Sequence, residues 1–184
     1  MAFNAYLVFA TGTEIKGEST SDIAKDTGAI EIADFGFGVS MPVTASRSDG
    51  GGATVGRANF DVFTCNKNID TATCKLVEFC CKGTSIPKIV LHLYRQGEGS
   101  GDSGVVKYSM VVFQFCVITK VGVSGGGEEL PKESLEFNYG VCEYWYDFTH
   151  HETGVAANKP AHYGWSTVKN ATVTSGQDFT KLSA

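Results

Sequence analysis

Residues 105–119 limit what this chain can fold into more than any other stretch, because they are apolar on both sides of a strand. Val106, Tyr108, Met110, Val112, Cys116 and Ile118 alternate with Val105, Val111, Phe113, Phe115 and Val117. A strand in a small antiparallel sheet normally gives one face to water. Leaving side chains of this size exposed forgoes roughly 1.5–3 kcal/mol each, against a domain stability of about 5–15 kcal/mol. A second cover is required. The sequence suggests two sources: its one convincing helix for part of the face, and a neighbouring subunit for the rest.

Most of the remaining chain also reads as strand. Residues 3–10 alternate Phe3, Ala5, Leu7 and Phe9 with polar neighbours. In residues 29–40 the apolar phase changes, from Ile30 and Ile32 to Phe35, Phe37 and Val39, which predicts a bulge or sharp bend near Ala33 and Asp34. Beyond that bend Asp34, Gly36 and Gly38 share a nearly bare face, suited to open space or to close approach of another backbone. Further strands are expected over 58–67, 87–95 and 134–148. The helix is expected over 71–82, with Asp70 or Thr71 as N-cap, Gly83 as stop, and Leu76, Val77, Cys80 and Cys81 as its buried face. About seven strands and one helix in 184 residues make a single domain over 1–173 and a short extension over 174–184. The expected fold class is mainly β: an antiparallel β-barrel of two packed sheets with one α-helix and a long extended glycine-rich loop, since closure removes exposed edges.

That loop, residues 46–60, carries four glycines and two arginines and little apolar mass. Each ordered residue costs roughly 1–2 kcal/mol of backbone entropy, so the loop is expected to be mobile or ordered by a partner. Gly51 and Gly56 have the spacing of a phosphate-binding loop, but Arg57-Ala58 and a strand follow where Lys, then Ser or Thr, then a helix are needed. Gly122-Val123-Ser124-Gly125-Gly126 matches a nucleophile elbow in letters, yet it also leads into a strand. His92 stands alone, and the adjacent His150 and His151 point apart on an extended chain. No catalytic residue, cofactor or metal site is therefore expected.

With 15 basic and 20 acidic residues the net charge is -5, and the scattered basic side chains indicate no nucleic-acid surface. No apolar run is long enough to span a membrane, so no membrane insertion is expected. The first residues lack a signal-peptide pattern, which predicts synthesis in the cytosol. The six cysteines form no Cys-x-x-Cys pair and read as reduced, core-filling thiols.

Several stretches then fall into one known order: Lys16-Gly17-Glu18-Ser19; Ile30-Glu31-Ile32 with Phe35-Gly36-Phe37-Gly38-Val39-Ser40; residues 50–60; Cys80-Cys81-Lys82-Gly83; Glu129-Leu130-Pro131-Lys132-Glu133; Phe137-Asn138-Tyr139-Gly140; and Tyr163-Gly164-Trp165. In these the chain resembles the Hcp (haemolysin-coregulated protein) family, which builds the tube of the type VI secretion system. The resemblance implies a structural, non-enzymatic subunit that forms homohexameric rings stacking into a tube. Sheath, spike and baseplate proteins and lumenal effector proteins are the implied partners, and the tube is implied to be secreted through the apparatus without a signal peptide. It also implies an intersubunit loop of Arg47, Ser48, Asp49, Gly50, Gly51, Gly52 and Arg57. Asp34, Gly36 and Gly38 are the candidate lumen-facing residues, by alternation. The family's usual His-Lys pair is replaced here by Ile23-Ala24-Lys25-Asp26. A tail-tube protein of a phage or other contractile injection particle is the alternative within this architecture. A β-barrel hydrolase using Ser124 or a Cys/His pair is the alternative outside it.

Overall fold

The computed structural model describes residues 3–21, 23–44, 54–96, 104–126, 130–149, 156–157, 159–174 and 176–184. Its spine is the strand the sequence singled out, β10 (Val105–Ser124). One edge of β10 pairs antiparallel with β9 (Ser85–Gln96), which pairs in turn with β1 (Phe3–Phe9), and β1 with β2 (Ile30–Ile32). The other edge is shared. β12 (Val141–Tyr146) takes Ser109 to Gln114, and β11 (Lys132–Asn138) takes Val117 to Ser124. From β12 the sheet continues to β13 (Ala161–Ser166) and β14 (Ala171–Thr172). From β11 it continues to β8 (Phe63–Asn68) and β3 (Asp34–Gly36).

The handover between β12 and β11 happens at Phe115. Its φ is +56°, a conformation that bulky residues rarely adopt, while the register against β9 runs unshifted past it, from Gln114↔Lys88 to Cys116↔Ile86. Opposite it, Gly140 donates its N–H to the Gln114 carbonyl at 2.9 Å. The positions that face the core nevertheless change phase there on both strands, from Leu91 and Ile89 to Ile86 on β9. Val111 and Phe113 face the core before Phe115, and Cys116 and Ile118 after it. Register shifts fall between Lys107 and Ser109 against β9, beside Tyr108, which packs on the same core, and between Ile118 and Lys120 against β11. The strand is thus apolar on two faces partly because the positive φ at Phe115 and the bulges on either side of it change which positions point inward.

The core is aromatic at its centre. Phe63 stacks on Phe137 with centroids 4.6 Å apart, and Phe113 meets Phe63 edge-on at 5.2 Å, with Phe35 parallel to Phe63 at 6.4 Å. α1 (Thr73–Lys82) caps this cluster with Ala72, Leu76, Phe79 and Cys80, whereas Val77 and Cys81, expected on the buried side, are exposed. Gly83 ends the helix at φ +61°, as its position predicts. At the other end the cap position is Ala72, although the Asp70 carboxylate accepts the Ala72 N–H at 3.0 Å. Asp70 belongs to a buried network. Lys67 Nζ lies 2.7 Å from Asp70 Oδ1, 2.9 Å from the Asn68 carbonyl and 3.4 Å from Glu133 Oε2, and the Thr73 hydroxyl donates to that same Glu133 oxygen.

Two expectations need correction. No sheet closes into a barrel: the ten-stranded sheet is open and branched. The bend expected at Ala33 is present, and it is the reason. There the chain leaves β1 for β8, so β2 and β3 are three residues each and bond to different partners. Among the described residues no ladder joins β2 to β8; the chain itself and the Ala33 N–H, donated to the Asn66 carbonyl at 2.7 Å, link the two sides. The second correction concerns the cover over the outer face of β1, β9 and β10. It comes from within the chain. Ile23, Ala24 and Ala29 pack over Tyr6, Val8 and Tyr94, while Phe179 and Ala184 pack with Trp145 on Val90, Met110 and Val112.

Candidate interaction surface

The glycine-rich loop springs from a two-stranded ribbon. β4 (Val39–Ser40) pairs with β7 (Asn59–Phe60), and β5 (Val43–Thr44) with β6 (Thr54–Val55). Between these ladders Gly56 donates its N–H to the Pro42 carbonyl at 2.9 Å, and a Cβ there would lie 2.8 Å from Pro42 Cγ, so the position requires glycine. Val39 is 57% exposed, Met41 49% and Val43 58%. A ribbon with no third strand among the described residues and three exposed apolar side chains is marginal in water by itself. Arg47, Ser48, Asp49, Gly50, Gly51 and Gly52 lie outside the described residues. Arg57 is described, and it turns back to its own chain: the guanidinium donates to the Val168 carbonyl at 3.3 Å.

At the base of the ribbon lies a groove of about 230 Å³ lined by Phe37, Gly38, Val39, Phe60, Cys142, Tyr144 and Tyr163. It arises because the core-facing side of the sheet runs on past the covered region. Val111 and Phe113 pair with Tyr144 and Cys142, and Tyr144 pairs with Tyr163. Phe37 bridges the two parts, with its ring 5.7 Å from Phe113 and 6.3 Å from Tyr144. Tyr146 and Phe148 are also exposed beyond Tyr144. Burial pushes the Cys142 thiol up to about 12, and does the same to Cys65 and Cys116, so these three sulfurs are protonated at neutral pH.

The candidate lumen residues separate. Asp34 and Gly36 sit together on an exposed polar face: Asn66 donates to the Asp34 carboxylate at 2.9 and 3.1 Å, and Gly36 pairs with Thr64. The face continues through Glu136, opposite Thr64, to Lys120, which lies 2.7 Å from the Glu136 carboxylate. Gly38 instead borders the apolar groove, and a Cβ on it would lie 2.6 Å from Asp61 Oδ2.

Ser124 closes β10, exposed and paired with Lys132, with no helix after it. His150 and His151 lie outside the described residues. His162 sits 3.1 Å from the buried Glu143 carboxylate, which also accepts from Gln114 at 3.2 Å, a pairing nothing in the sequence order announces. Among the described residues no group of three or more His, Cys, Asp or Glu could hold a metal ion.

Fold and surface together define the class: a mainly β protein presenting an apolar ribbon, an aromatic groove beside it and a polar sheet face. More narrowly, the chain belongs to the Hcp family, since the family model described as type VI secretion system effector, Hcp, matches residues 6–146. A solved type six secretion system protein is similar over 94% of this chain and 100% of its own length, at 26% identity and a TM-score of 0.80. Hcp1 from Salmonella typhimurium has the same coverage at 19% identity and a TM-score of 0.70. A double mutant of Hcp1 from E. coli EAEC 042 covers 91% of this chain and 99% of its own at 17% identity, with a TM-score of 0.67. No curated protein sequence matches.

Proposed function

We propose that the chain is a structural subunit of a type VI secretion tube, forming homohexameric rings that stack and carry effectors in the lumen. The observation that carries this reading is the family match over residues 6–146 on a chain whose exposed ribbon is apolar. The ribbon and its loop are the arm that reaches a second copy, and the aromatic groove at its base receives apolar side chains from that copy. Arg57, tied to Val168, steadies the base of the arm. The lumen is lined by the polar face of Asp34, Gly36, Thr64 and Asn66, where short side chains leave room for cargo. The subunit works by assembly, with no chemistry of its own, and leaves the cell through the apparatus in contact with sheath, spike and baseplate. Native mass measurement and negative-stain images of the purified chain test this. Six-membered annuli are expected, and particles that stay monomeric at high concentration without annuli would overturn it.

A further inference from the structure

Residues 176–184 lie across the outer face of β9, β10 and β12 as a guest lies in a binding site. They form no strand and join no ladder. Their hold is by side chains and single carbonyls. Phe179 and Ala184 press on Val90, Met110 and Val112, and Leu182 and Ala184 on the cluster around Tyr6, Val8 and Tyr94. Lys107 donates to the Lys181 carbonyl at 2.8 Å, and its ammonium stands 5.2 Å from the Phe179 ring centre. His92 Nε2 lies 3.3 Å from the Ser183 carbonyl, and Lys88 donates to the Gln177 side chain at 2.9 Å.

The floor beneath is finished like a core: Val90, His92, Met110 and Val112 are all 0% exposed. The fit above it is incomplete. His92 Nδ1 and Trp145 Nε1 are buried without a hydrogen-bond partner among the described residues. Buried polar atoms in settled cores are nearly always paired, and each unpaired one costs about 1–3 kcal/mol. An apolar floor with a row of polar side chains, under a cover held by its side chains and single carbonyls and by no strand ladder, has the makeup of a peptide-binding groove.

We propose that the outer face of β9, β10 and β12 is a peptide-docking groove for a segment with Phe and Leu three residues apart, filled in the single chain by residues 176–184 and filled in an assembly by the same segment of a second copy. The copy-to-copy part rests on the tube reading above. An identical segment makes identical contacts in trans, so exchange costs little in contact energy, and the high local concentration within a ring favours it.

The test uses a chain lacking residues 176–184 as acceptor and a labelled peptide of those nine residues as probe, read by fluorescence anisotropy. Saturable binding is expected to the shortened chain, at least tenfold weaker binding to the full chain, and at least tenfold loss when Phe179 of the peptide becomes Ala or Lys107 of the acceptor becomes Met. A shortened chain that melts cooperatively but does not bind the peptide, or equal binding to both chains, overturns the groove. Where the shortened chain does not fold, the full chain carrying F179A and L182A serves as acceptor, and absence of binding there overturns it equally. For exchange between copies, immobilised shortened chain should retain full chain but not its F179A variant. Equal retention of both overturns the trans part. Peptide binding is scored on single chains, so it stands or falls apart from ring formation.

Discussion

Replacing Lys67 by Met should cost more than almost any other single change, because of what it leaves behind. Lys67 and Glu133 both have fully buried side chains, and Lys67 Nζ is shared among Asp70, Glu133 and the Asn68 carbonyl. Glu133 already has one carboxylate oxygen without a partner among the described residues. Removing the ammonium strands that carboxylate in the interior with only the Thr73 hydroxyl, and breaking one side of a buried pair typically costs about 3–5 kcal/mol. Against a total of about 5–15 kcal/mol, this brings the domain near its limit. Replacing both residues, by K67M with E133L, removes the desolvated charges together and should recover most of the loss, a coupling of roughly 2–4 kcal/mol. Urea melts at pH 7 followed by circular dichroism measure the two single variants and the double. Because the network anchors the start of α1, Cys80 should also label faster in K67M than in the double variant. The reasoning fails if the two single losses simply add in the double variant to within about 0.5 kcal/mol, or if K67M costs less than about 1 kcal/mol.

Acid should weaken the seat of residues 176–184. Burial, with Lys107 as the nearest charge, holds His92 down at about 2, while the Ser183 carbonyl facing it pulls weakly the other way. The Asp178–Lys181 pair sits above Lys107. The unfolded chain therefore binds the proton that the folded chain refuses. Stability falls as pH drops below the ordinary histidine value, by about 1.4 kcal/mol per pH unit. Melts from pH 7 to 5 should show this decline in the natural chain and a flatter one in His92→Leu; equal slopes would refute the assignment. A Cβ on Gly17 would lie 2.3 Å from the Ala29 carbonyl oxygen, so Gly17→Ala should cost about 2–3 kcal/mol, whereas Gly126→Ala, with open space around it, should stay within about 0.5; thermal melts separate them. Phe115→Gly should be about 1 kcal/mol more stable than Phe115→Ala, because only glycine occupies φ +56° without strain. Urea melts in which the alanine variant proves equal or better would remove the strained backbone at Phe115 from the account. Val43→Asp should leave the melting temperature within about 2 °C of the natural chain, a stability change under about 0.5 kcal/mol, while reducing ring yield in mass measurement.

What could be read in advance follows from how strictly each pattern implies geometry. The phase change between Ile32 and Phe35 has one physical meaning, an interruption of the pleat, and the chain does change partners at Ala33. Gly83 likewise ends a helix for a reason carried by one residue. Residues 105–119 are the opposite case: positions of both phases are apolar, so alternation cannot reveal a change of phase, and the bulge at Tyr108 and the positive φ at Phe115 left no trace. The aromatic groove was not read from the sequence: Tyr144, Tyr146 and Phe148 recur at period two, but that spacing is equally that of a core, and exposure depends on where the opposing layer stops. Barrel closure was argued from a need to hide edges, and the length of β2 and β3, which decides it, depends on the bend rather than on composition.

The cover over β10 carries the consequence for function. A doubly apolar strand demanded a second layer, and a neighbouring subunit was a sound candidate because nine residues with two large apolar anchors, Phe179 and Leu182, give no periodic signal. Once that segment supplies the layer, the outer face of β10 is no longer what obliges the chain to associate. The obligation passes to the apolar side chains that stay exposed, Val39, Met41 and Val43 on the ribbon and the tyrosines beside it. In the proposed tube, assembly would then be driven from the arm and its groove, and the strand that organises the fold would enter it only through the proposed exchange of residues 176–184.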